Sequence, residues 1–532
     1  MSYLQLLQLA APETIVVIAA LGVLSADLLA LRGLESRFRR IICALIACAG
    51  CAAAIGWMAV LPQQANFLRG MLVVDPMIRL VKIGLLVLTV FTVLLSVETD
   101  FTPHVGEYFA LVLFGTVGMM FLVSAEDLLM IFISLELTSL SLYILTAFDK
   151  RNGQSTEAAL KFFLFGGVAA AFTLFGVSLL YGIAGSTNLG EIARAAADHA
   201  LRVSAGEDGS VRRLIDPLLA GAIVMTVIGF GFKVAAAPFH LWAPDAYQGA
   251  PIPSAAFIAS ASKVAGFFIF AKVMSMGFAG VEGSGAWLAW RAGWVPVLAV
   301  LAGASMVLGN LAALAQSSVR RLLAYSAIAH AGYMLLGVMS GAGAGLAPLL
   351  YYALTYSLSV LGAFGVVSIV RQRAGGDRLA DFAGLSRHAP ALSFCMLIFM
   401  LSLAGIPPLA GFFGKFYLFS AALGAGAPHL GLLWLVGLAV VMSAVSLYYY
   451  LQVLKQIYVV ERPGAPLSGP LSEPLSTLKQ IQVLETPGAP GANPAPVTEW
   501  TLVVLAGGVV ALGCAPGLLT ERLAAALRAA GV

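Results

Sequence analysis

The sequence predicts an all-α polytopic membrane protein. Hydrophobic residues make up 60% of the 532 residues, charged residues only 11%, and the mean hydropathy is +0.94. A soluble chain carries charged residues at roughly 25% of its positions. The apolar residues gather into runs of about 20 residues, which is the length that an α-helix needs to cross the hydrocarbon core of a bilayer.

These runs predict about 14 transmembrane segments, numbered here 1–14 in chain order. They fall near 12–31, 38–61, 73–97, 106–124, 126–147, 156–184, 216–243, 253–278, 294–316, 319–340, 346–371, 391–423, 429–459 and 498–518. The first run is long enough to span and is followed by the basic stretch from Arg32 to Arg40, so we expect a retained helix and not a cleaved signal peptide.

The predicted organisation has five parts. Residues 1–105 hold segments 1–3, residues 106–278 a first repeat, and residues 279–460 a second repeat. A linker rich in Pro, Gly and Ser follows at 461–497, and the last segment lies in 498–532. The linker contains a short duplication, LKQIYVVERPGAP from Leu454 and LKQIQVLETPGAP from Leu478, which is typical of a loop that tolerates insertions.

Two segments are predicted to be broken helices. In segment 7 Pro238 follows Lys233, and in segment 12 Pro407 and Pro408 precede Lys415. Proline inside a helix removes a backbone hydrogen bond and frees a carbonyl, and freed backbone at membrane depth must lie inside protein or beside water. Segments 4–8 and 9–13 form two units with the broken helix fourth in each. Because five is odd, the second unit must cross in the opposite sense, which predicts the inverted repeat typical of transporters.

The basic residues predict the orientation. Among the short loops, those that follow odd-numbered segments carry most of the arginines and lysines, including Arg32 to Arg40, Lys150, Arg320 and Arg371. Cytoplasmic loops are enriched in these residues, and long loops such as 185–215 follow the rule less strictly. We therefore expect a cytoplasmic linker at 461–497 and periplasmic termini.

Several charged residues lie within apolar runs. A charge at the bilayer centre costs on the order of 3 kcal/mol on insertion scales, so its repeated presence indicates charge movement through the membrane. The residues concerned are Glu136, Lys161, Lys233, Lys263 and Lys415. A lysine near a helix end can instead extend its ammonium group to the headgroups. We expect this interfacial role for Lys82, Lys272 and Lys455. For Lys161, both the interfacial role and a role in charge movement stay open.

Redox cofactors and nucleotides are not expected on this chain. Five cysteines in 532 residues make no disulfide framework. Cys48 and Cys51 form a C-x-x-C, but Ala52 follows where a haem attachment site has histidine. No iron–sulfur motif, Rossmann turn or Walker loop is present in the sequence.

Six motifs resemble the antiporter-like subunits of respiratory complex I, over nearly the whole chain. They are LLMIFISLELTSLSLYIL around Glu136, EAALKFFLFG around Lys161, GFKVAAAPFHLWAPDAYQGAP, ASKVAGF around Lys263, RLLAYSAIAHAGY and LSLAGIPPLAGFFGKFY. Two features match only some members of this family. The early segment PETIV is one of them. The other is the lysine at position 415, where one branch of the family usually has glutamate.

The resemblance implies a role for each buried charge. Glu136 and Lys233 would form the charge pair of a first half-channel, because an opposite charge holds a buried lysine protonated. Lys263 would be the central relay and Lys415 the exit-side group, while Lys161 would modulate the pair or line the uptake path. Four further residues are candidates for a wetted hydrogen-bond path, with packing or interfacial anchoring as the alternative for each: His240, Tyr247, His330 and Tyr333.

The resemblance also implies partners and a location. The chain would be a proton-translocating membrane subunit of NADH–quinone oxidoreductase, beside neighbouring antiporter-like and small membrane subunits in a bacterial inner membrane. FMN, iron–sulfur clusters and quinone would belong to partner subunits, with the peripheral redox arm contacting this chain only indirectly; no nucleic acid is expected. Two alternatives stay open, an Mrp-type cation/proton antiporter subunit and a structural subunit of a hydrogenase-like membrane complex.

Overall fold

The computed structural model describes residues 3–199, 202–205, 211–424, 431–461 and 495–530. Within these ranges the chain is mostly helical. The α-helices are α1 (Tyr3–Leu9), α2 (Ala11–Ala26), α3 (Ser36–Met58), α4 (Pro76–Ser96), α5 (Val105–Ser124), α6 (Leu128–Thr146), α7 (Gly153–Ala184), α8 (Leu189–His199), α9 (Pro217–Lys233), α10 (Trp242–Gly249), α11 (Ile252–Ala259), α12 (Ala261–Lys272), α13 (Trp294–Leu314), α14 (Val319–Met339), α15 (Gly341–Ala374), α16 (Leu385–His388), α17 (Pro390–Ala404), α18 (Ala410–Gly424), α19 (Leu433–Tyr458), α20 (Pro496–Cys514) and α21 (Gly517–Ala529).

Two short antiparallel hairpins lie in loops between the helices. Strands β1 (Ala65–Phe67) and β2 (Leu72–Val74) pair between α3 and α4, and β3 (Arg202–Ala205) pairs with β4 (Val211–Leu214) between α8 and α9. Helices α2 and α12 each pass into a π-helical turn, at Asp27–Leu31 and Val273–Gly277.

Helix ends follow local chemistry. The side chain of Asp75 accepts a hydrogen bond from the backbone N–H of Ile78 at the start of α4, where Pro76 occupies the first helical position. Asp127 caps α6 in the same way. Gly185 and Gly375 end α7 and α15 in the left-handed conformation, which glycine adopts without steric cost.

The predicted segments match the observed helices closely in position. Twelve of the described helical spans are long and apolar enough to cross a membrane. Segments 7 and 12 are absent from that set because each is divided, and their apolar parts, Pro217–Lys233 and Pro390–Ala404, are shorter. Helix length therefore does not confirm the count of fourteen, although the chain has a helix or a broken helix at each predicted place.

Both predicted breaks are confirmed. Segment 7 is interrupted at 234–241, between α9 and α10, and segment 12 at 405–409, between α17 and α18. Protein groups satisfy part of the freed backbone: the N–H of Ala237 donates to Ser305 Oγ at 2.8 Å, and the N–H of Gly411 donates to Ser402 Oγ at 3.3 Å. Protein side chains thus hydrogen-bond part of each break, although Pro238, Pro407 and Pro408 are themselves exposed at the surface of the described chain.

Segment 8 is also interrupted, which the sequence did not predict. Ser260 separates α11 from α12 with φ −114° and ψ −85°. Its hydroxyl donates back to the carbonyl of Ala256 at 2.6 Å, a contact that bends helices. The hydroxyl of Ser357 donates to the Ser260 carbonyl at 3.2 Å. Lys263 follows one turn after this kink.

Segment 8 lies at the centre of the bundle. Every residue of α11 and α12 is buried, and α14 and α15 are buried along most of their length. Helix α7, in contrast, exposes a broad apolar face that includes Phe163, Phe165 and Phe175, as expected of a surface covered by lipid or by another subunit. Of the predicted linker 461–497, residues 462–494 lie outside the described residues, and they include the whole second copy of the short duplication, which begins at Leu478.

Candidate functional site

Lys233 is the last residue of α9, at the first break. Its side chain is buried, and its Nζ donates to Ser139 Oγ at 3.1 Å. Ser139 can accept this bond because its own hydroxyl hydrogen is donated to the carbonyl of Leu135. Ser139 lies on α6, one turn beyond Glu136, so the ammonium group of Lys233 is held against the helix that carries the predicted counter-charge.

Glu136 and Lys233 interact through space. Glu136 is half-buried, and its carboxylate attracts the ammonium group of Lys233 electrostatically. No ion pair within 4.0 Å joins these two residues, both of which lie in the described part of the chain. The arrangement therefore brings the predicted charge pair to neighbouring positions, with Ser139 as the direct contact of the lysine.

Lys263 faces the interior of the bundle, as predicted. It is 2% exposed, and its Nζ donates to the carbonyls of Ala327, at 2.6 Å, and Val234, at 3.3 Å. The Val234 carbonyl would bond the N–H four residues on in a continuous helix, but that residue is Pro238, which has none. The carbonyl freed by the first break thus becomes a ligand of the central lysine.

Lys415 uses the second break in the same way. Its Nζ donates to the carbonyl of Ala404 at 2.9 Å and to Ser443 Oγ at 2.7 Å. Four residues after Ala404 stands Pro408, so this carbonyl is also freed by a proline. Gly405, at φ +87°, leaves room for the lysine, since a Cβ there would lie 3.0 Å from Lys415 Cδ.

Helix α14 joins the surroundings of Lys263 to those of Lys415. Ala327, His330 and Tyr333 are spaced three residues apart and therefore lie along one face of the helix. Ala327 accepts the bond from Lys263, and Lys415 Nζ stands 5.2 Å from the centre of the Tyr333 ring, within cation–π range.

His330 occupies the middle of this face. It is 2% exposed, with Nδ1 2.6 Å from the Tyr352 hydroxyl and Nε2 3.0 Å from the Tyr450 hydroxyl. Neutral imidazole donates from one nitrogen and accepts at the other, so a histidine bonded at both ends can pass a proton between its partners. The Tyr450 hydroxyl also contacts Ser326, which extends the polar network by one residue.

Tyr333 belongs to a second polar group. Asn310 Nδ2 donates to the Tyr333 hydroxyl at 3.1 Å, and the Tyr449 hydroxyl donates to Asn310 Oδ1 at 3.0 Å. All three side chains are buried. Tyr333 therefore presents its ring to Lys415 while its hydroxyl is held by the asparagine.

Lys161 makes no hydrogen bond or ion pair with Glu136 or Lys233, all three of which are described residues. Its side chain is 42% exposed and makes ion pairs with Glu157 and Asp245, each at 2.8 Å. Asp245 also pairs with Arg321 at 2.8 Å. Lys161 and Asp245 line a small surface cavity of about 170 Å³. This position fits a residue that lines a path at its mouth better than one that touches the pair.

His240 and Tyr247 are not joined to the other candidates by hydrogen bonds within the described residues. His240 is half-buried in the first break, and Tyr247 is fully buried with its ring against Trp242 and Phe364. The Tyr247 hydroxyl has no hydrogen-bond partner in the described chain. A relay role for either residue stays a prediction.

The expectation for Lys82 and Lys272 is wrong. Lys82 is 3% exposed and lies 2.6 Å from a buried carboxylate, Glu13, while Lys272 is 7% exposed and lies 3.0 Å from Glu126. Both ammonium groups are neutralised inside the bundle and do not reach toward headgroups. Lys455, in the last turn of α19, is exposed.

Several polar residues of the site could not be selected from the sequence. Ser139, Ser443, Asn310, Tyr352 and Tyr450 touch the lysines, His330 or Tyr333. Serines, asparagines and tyrosines occur throughout the predicted segments, and only the packing of the helices distinguishes these five. The residues with a usable signal are Pro238 and Pro408, each of which lies four positions after a carbonyl that accepts a hydrogen bond from a lysine.

Comparison with known proteins gives consistent results. Residues 125–444 match the family described as NADH:quinone oxidoreductase/Mrp antiporter, TM. The chain is 51% identical over 533 aligned residues to NADH-quinone oxidoreductase subunit N 2 of Acidobacterium capsulatum, covering 98% of this chain and 99% of that protein. It is 42% identical to NADH-quinone oxidoreductase subunit N of Heliobacterium modesticaldum, over 69% of this chain and 72% of that one.

Solved structures agree with the sequence matches. A chain of respiratory complex I from Thermus thermophilus, with bound aureothin, has 33% identity and a TM-score of 0.71, with 97% of this chain and 99% of that chain covered. The Mrp complex from Dietzia shares the fold at 22% identity, with a TM-score of 0.75 and coverage of 98% and 97%. The chain therefore belongs to the antiporter-like family of NADH:quinone oxidoreductase and Mrp membrane subunits, and within that family to subunit N of NADH–quinone oxidoreductase.

Proposed function

We propose that this chain moves protons along one route, from Glu136 and Lys233 through Lys263 and His330 to Lys415. The observation that carries the proposal is the position of Lys263. Its ammonium group bonds the carbonyl freed by Pro238, next to Lys233, and the carbonyl of Ala327 on the helix that leads to Lys415. The central lysine thus contacts both halves of the route.

The environment of each lysine supports proton exchange. A buried ammonium group costs free energy unless it is paired and hydrogen-bonded. Lys263 and Lys415 have carbonyl and hydroxyl ligands but no carboxylate within 4.0 Å among the described residues, so their charged forms are only partly compensated. A small change in the surrounding charges can therefore decide whether each lysine holds its proton.

Glu136 would start the transfer. Its charge favours the protonated form of Lys233, because opposite charges attract strongly where water is scarce. Weakening this attraction would release the proton of Lys233 toward the first break and Lys263. Lys161 and Asp245, at their surface cavity, would influence the step from outside the pair.

Electron transfer would take place on other subunits. We infer that FMN, iron–sulfur clusters and quinone belong to partners of this chain, which would contact neighbouring antiporter-like and small membrane subunits in a bacterial inner membrane. Identity of 51% to a subunit N, against 22% to the Mrp structure, favours this assembly over an independent cation/proton antiporter. The same 51% identity is our reason for preferring this assembly to a hydrogenase-like membrane complex.

Purification of the native assembly tests this function. The complex should contain flavin and iron–sulfur subunits and, in sealed vesicles, NADH oxidation should move protons in buffer free of Na⁺. Isolation of the chain with small membrane partners only would point to the Mrp alternative. A strict requirement for Na⁺ in charge movement would contradict the proposed proton route.

The proposed orientation can be tested separately with thiol labelling. We expect both termini in the periplasm and the linker in the cytoplasm. In a background without other cysteines, Ser476→Cys in the linker should react with an impermeant reagent in inverted vesicles and not in intact cells. A second variant that retains only the native, exposed Cys514 at the end of α20 is the matched control and should react from the opposite side. Labelling of the linker in intact cells would reverse the topology.

A further inference from the structure

A second set of buried charges lies outside the proposed proton route. Lys82 pairs with Glu13 and Lys272 pairs with Glu126, with the carboxylates and ammonium groups largely shielded from water. Asp75 and Lys82 both interact with Lys272 through space. These five residues, the charge cluster, gather where α2, α4 and α6 begin and α12 ends, so one end of the bundle holds three carboxylates and two lysines.

Stability alone does not explain the charge cluster. Taking two charges out of water costs free energy that their mutual attraction often fails to recover, and apolar side chains of similar volume frequently stabilise a core as well or better. The hydrogen bonding is incomplete, since Oε2 of Glu13 has no hydrogen-bond partner within the described chain. Packing alone therefore gives no reason for three carboxylates and two lysines at this end of the bundle.

The Glu126–Lys272 pair joins two helices of the proton route. Glu126 directly precedes Asp127, whose side chain caps α6 by accepting from two backbone N–H groups. Glu136 follows on the same helix, ten residues after Glu126. Lys272 is the last residue of α12, nine residues after Lys263. The pair thus connects the start of the helix that bears Glu136 to the end of the helix that bears Lys263.

Glu126 is itself held firmly. Its backbone N–H donates to the carbonyl of Gly70 at 2.7 Å, and its carbonyl accepts from the N–H of Leu189 at 2.9 Å. These bonds attach it to the loop between α3 and α4 and to the start of α8. The carboxylate therefore offers Lys272 a fixed point.

Helix α12, in contrast, has two irregular ends. It begins at the kink of Ser260 and passes directly after Lys272 into the π-helical turn Val273–Gly277. Such π-helical turns are frequent at functional sites. Between these two irregular points, α12 carries Lys263 as a short rigid unit whose position depends on what holds its ends.

We propose that Glu126 and Lys272 are positioning residues that fix α12 against α6 and thereby place Lys263 relative to Glu136 and Lys233. This inference rests on the proposed proton route. Lys272 does not touch Lys263: nine residues turn a helix by two and a half turns, so the two lysines point to opposite faces. The ion pair between Glu126 and Lys272 fixes the position of α12 along its own axis. Lys82, Glu13 and Asp75 supply the other charges near this pair.

The test measures two quantities for each variant: the number of protons moved per NADH oxidised, and the amount of assembled complex. Lys272→Met and Glu126→Gln should each lower the ratio of protons moved to NADH oxidised several-fold in complexes that assemble normally. Lys272→Arg should retain most of the ratio, because it keeps the charge. The double variant Glu126→Gln/Lys272→Met should be no worse than either single variant, since both remove one interaction.

The exposed pair Arg373–Glu499, at 2.8 Å, supplies the control. Arg373→Met should change neither assembly nor the ratio, because exposed ion pairs contribute little. If Lys272→Met assembles poorly, Glu126→Asp decides: it keeps the charge but shortens the side chain, and an assembled Glu126→Asp complex should still pump less per NADH.

Three results would overturn the proposal. They are an unchanged ratio in assembled Lys272→Met or Glu126→Asp, a loss of pumping that only parallels a loss of assembled complex, or a double variant whose defect is the product of the two single defects. Failure of the proton route is distinguishable, because it would show as normal pumping in Lys263→Ala. Loss of pumping in Lys263→Ala with a normal ratio in Lys272→Met would retain the route and reject the positioning role.

Discussion

Replacing Lys263 with alanine should abolish NADH-driven proton movement through this chain. Among the lysines in the described residues, only Lys263 donates hydrogen bonds both to the first break, at the Val234 carbonyl, and to α14, at the Ala327 carbonyl. Alanine removes the proton carrier and leaves the carbonyls of Val234 and Ala327 without this donor. Proton movement should be measured in sealed vesicles as NADH-dependent acidification, together with the amount of assembled complex.

Two further variants separate charge transfer from structural support at this site. Lys263→Gln retains N–H groups that can donate to the carbonyls but cannot carry a proton, so it should assemble better than alanine and still fail to pump. Leaving a buried polar group unpaired costs about 1–3 kcal/mol, and the N–H groups of glutamine should avoid part of this cost. Lys263→Arg should keep the charge yet release its proton far less readily, and pump poorly.

The exposed Lys455 provides the comparison for Lys263. Lys455→Ala removes a lysine from the end of a helix, where it is exposed to solvent, and should pump normally. Full pumping in the Lys263→Ala complex would remove the central step from the proposed route and leave Lys263 with a structural role only.

The breaks and the lysines beside them were predictable because their causes are local. Proline lacks an N–H, so Pro238 and Pro408 free the carbonyls four residues earlier whatever the rest of the chain does. The sequence therefore predicted both breaks and placed Lys233 and Lys415 beside them. It also predicted that Lys263 faces inward, because apolar residues flank it on both sides and leave no interface within reach.

The errors concern properties that depend on distant parts of the chain. Lys82 and Lys272 lie near helix ends and looked free to reach the headgroups, but their counter-charges, Glu13 and Glu126, come from other helices. Only the packed bundle shows that these carboxylates meet the lysines. The same limit applies to Ser139, which belongs to an apolar helix with several other hydroxyl residues and is identified solely by its contact with Lys233.

The kink at Ser260 was missed for a different reason. Sequence signals for helix interruption rely on proline and glycine, and neither lies at this position. A serine that bonds the carbonyl four residues earlier can stay within a regular helix or bend it, and the outcome depends on whether a neighbour satisfies the freed backbone. Here Ser357, on α15, supplies that bond.

The second large effect is expected at Glu136. Glu136→Gln keeps the size of the side chain and removes its charge, so Lys233 loses the Coulombic attraction that favours its protonated form. Two opposite charges more than 4 Å apart attract by less than about 4 kcal/mol at an effective dielectric constant of about 20, and a rate that depends on part of this attraction should fall roughly 10- to 100-fold when it is lost. We expect NADH–quinone turnover and proton pumping to fall together while the complex still assembles.

Glu136→Asp discriminates between loss of charge and loss of shape. Aspartate keeps the negative charge one methylene further from Lys233, so this variant should retain more activity than glutamine, although glutamine matches the native side chain better in length. Glu521→Gln, at an exposed position of α21, removes the same charge outside the site and should behave like the native chain. Because Ser139 holds Lys233 directly, the lysine should stay in place in both Glu136 variants. Native turnover and pumping in the glutamine and aspartate variants alike would mean that the charge of Glu136 has no part in loading Lys233, and the route would then have to begin elsewhere.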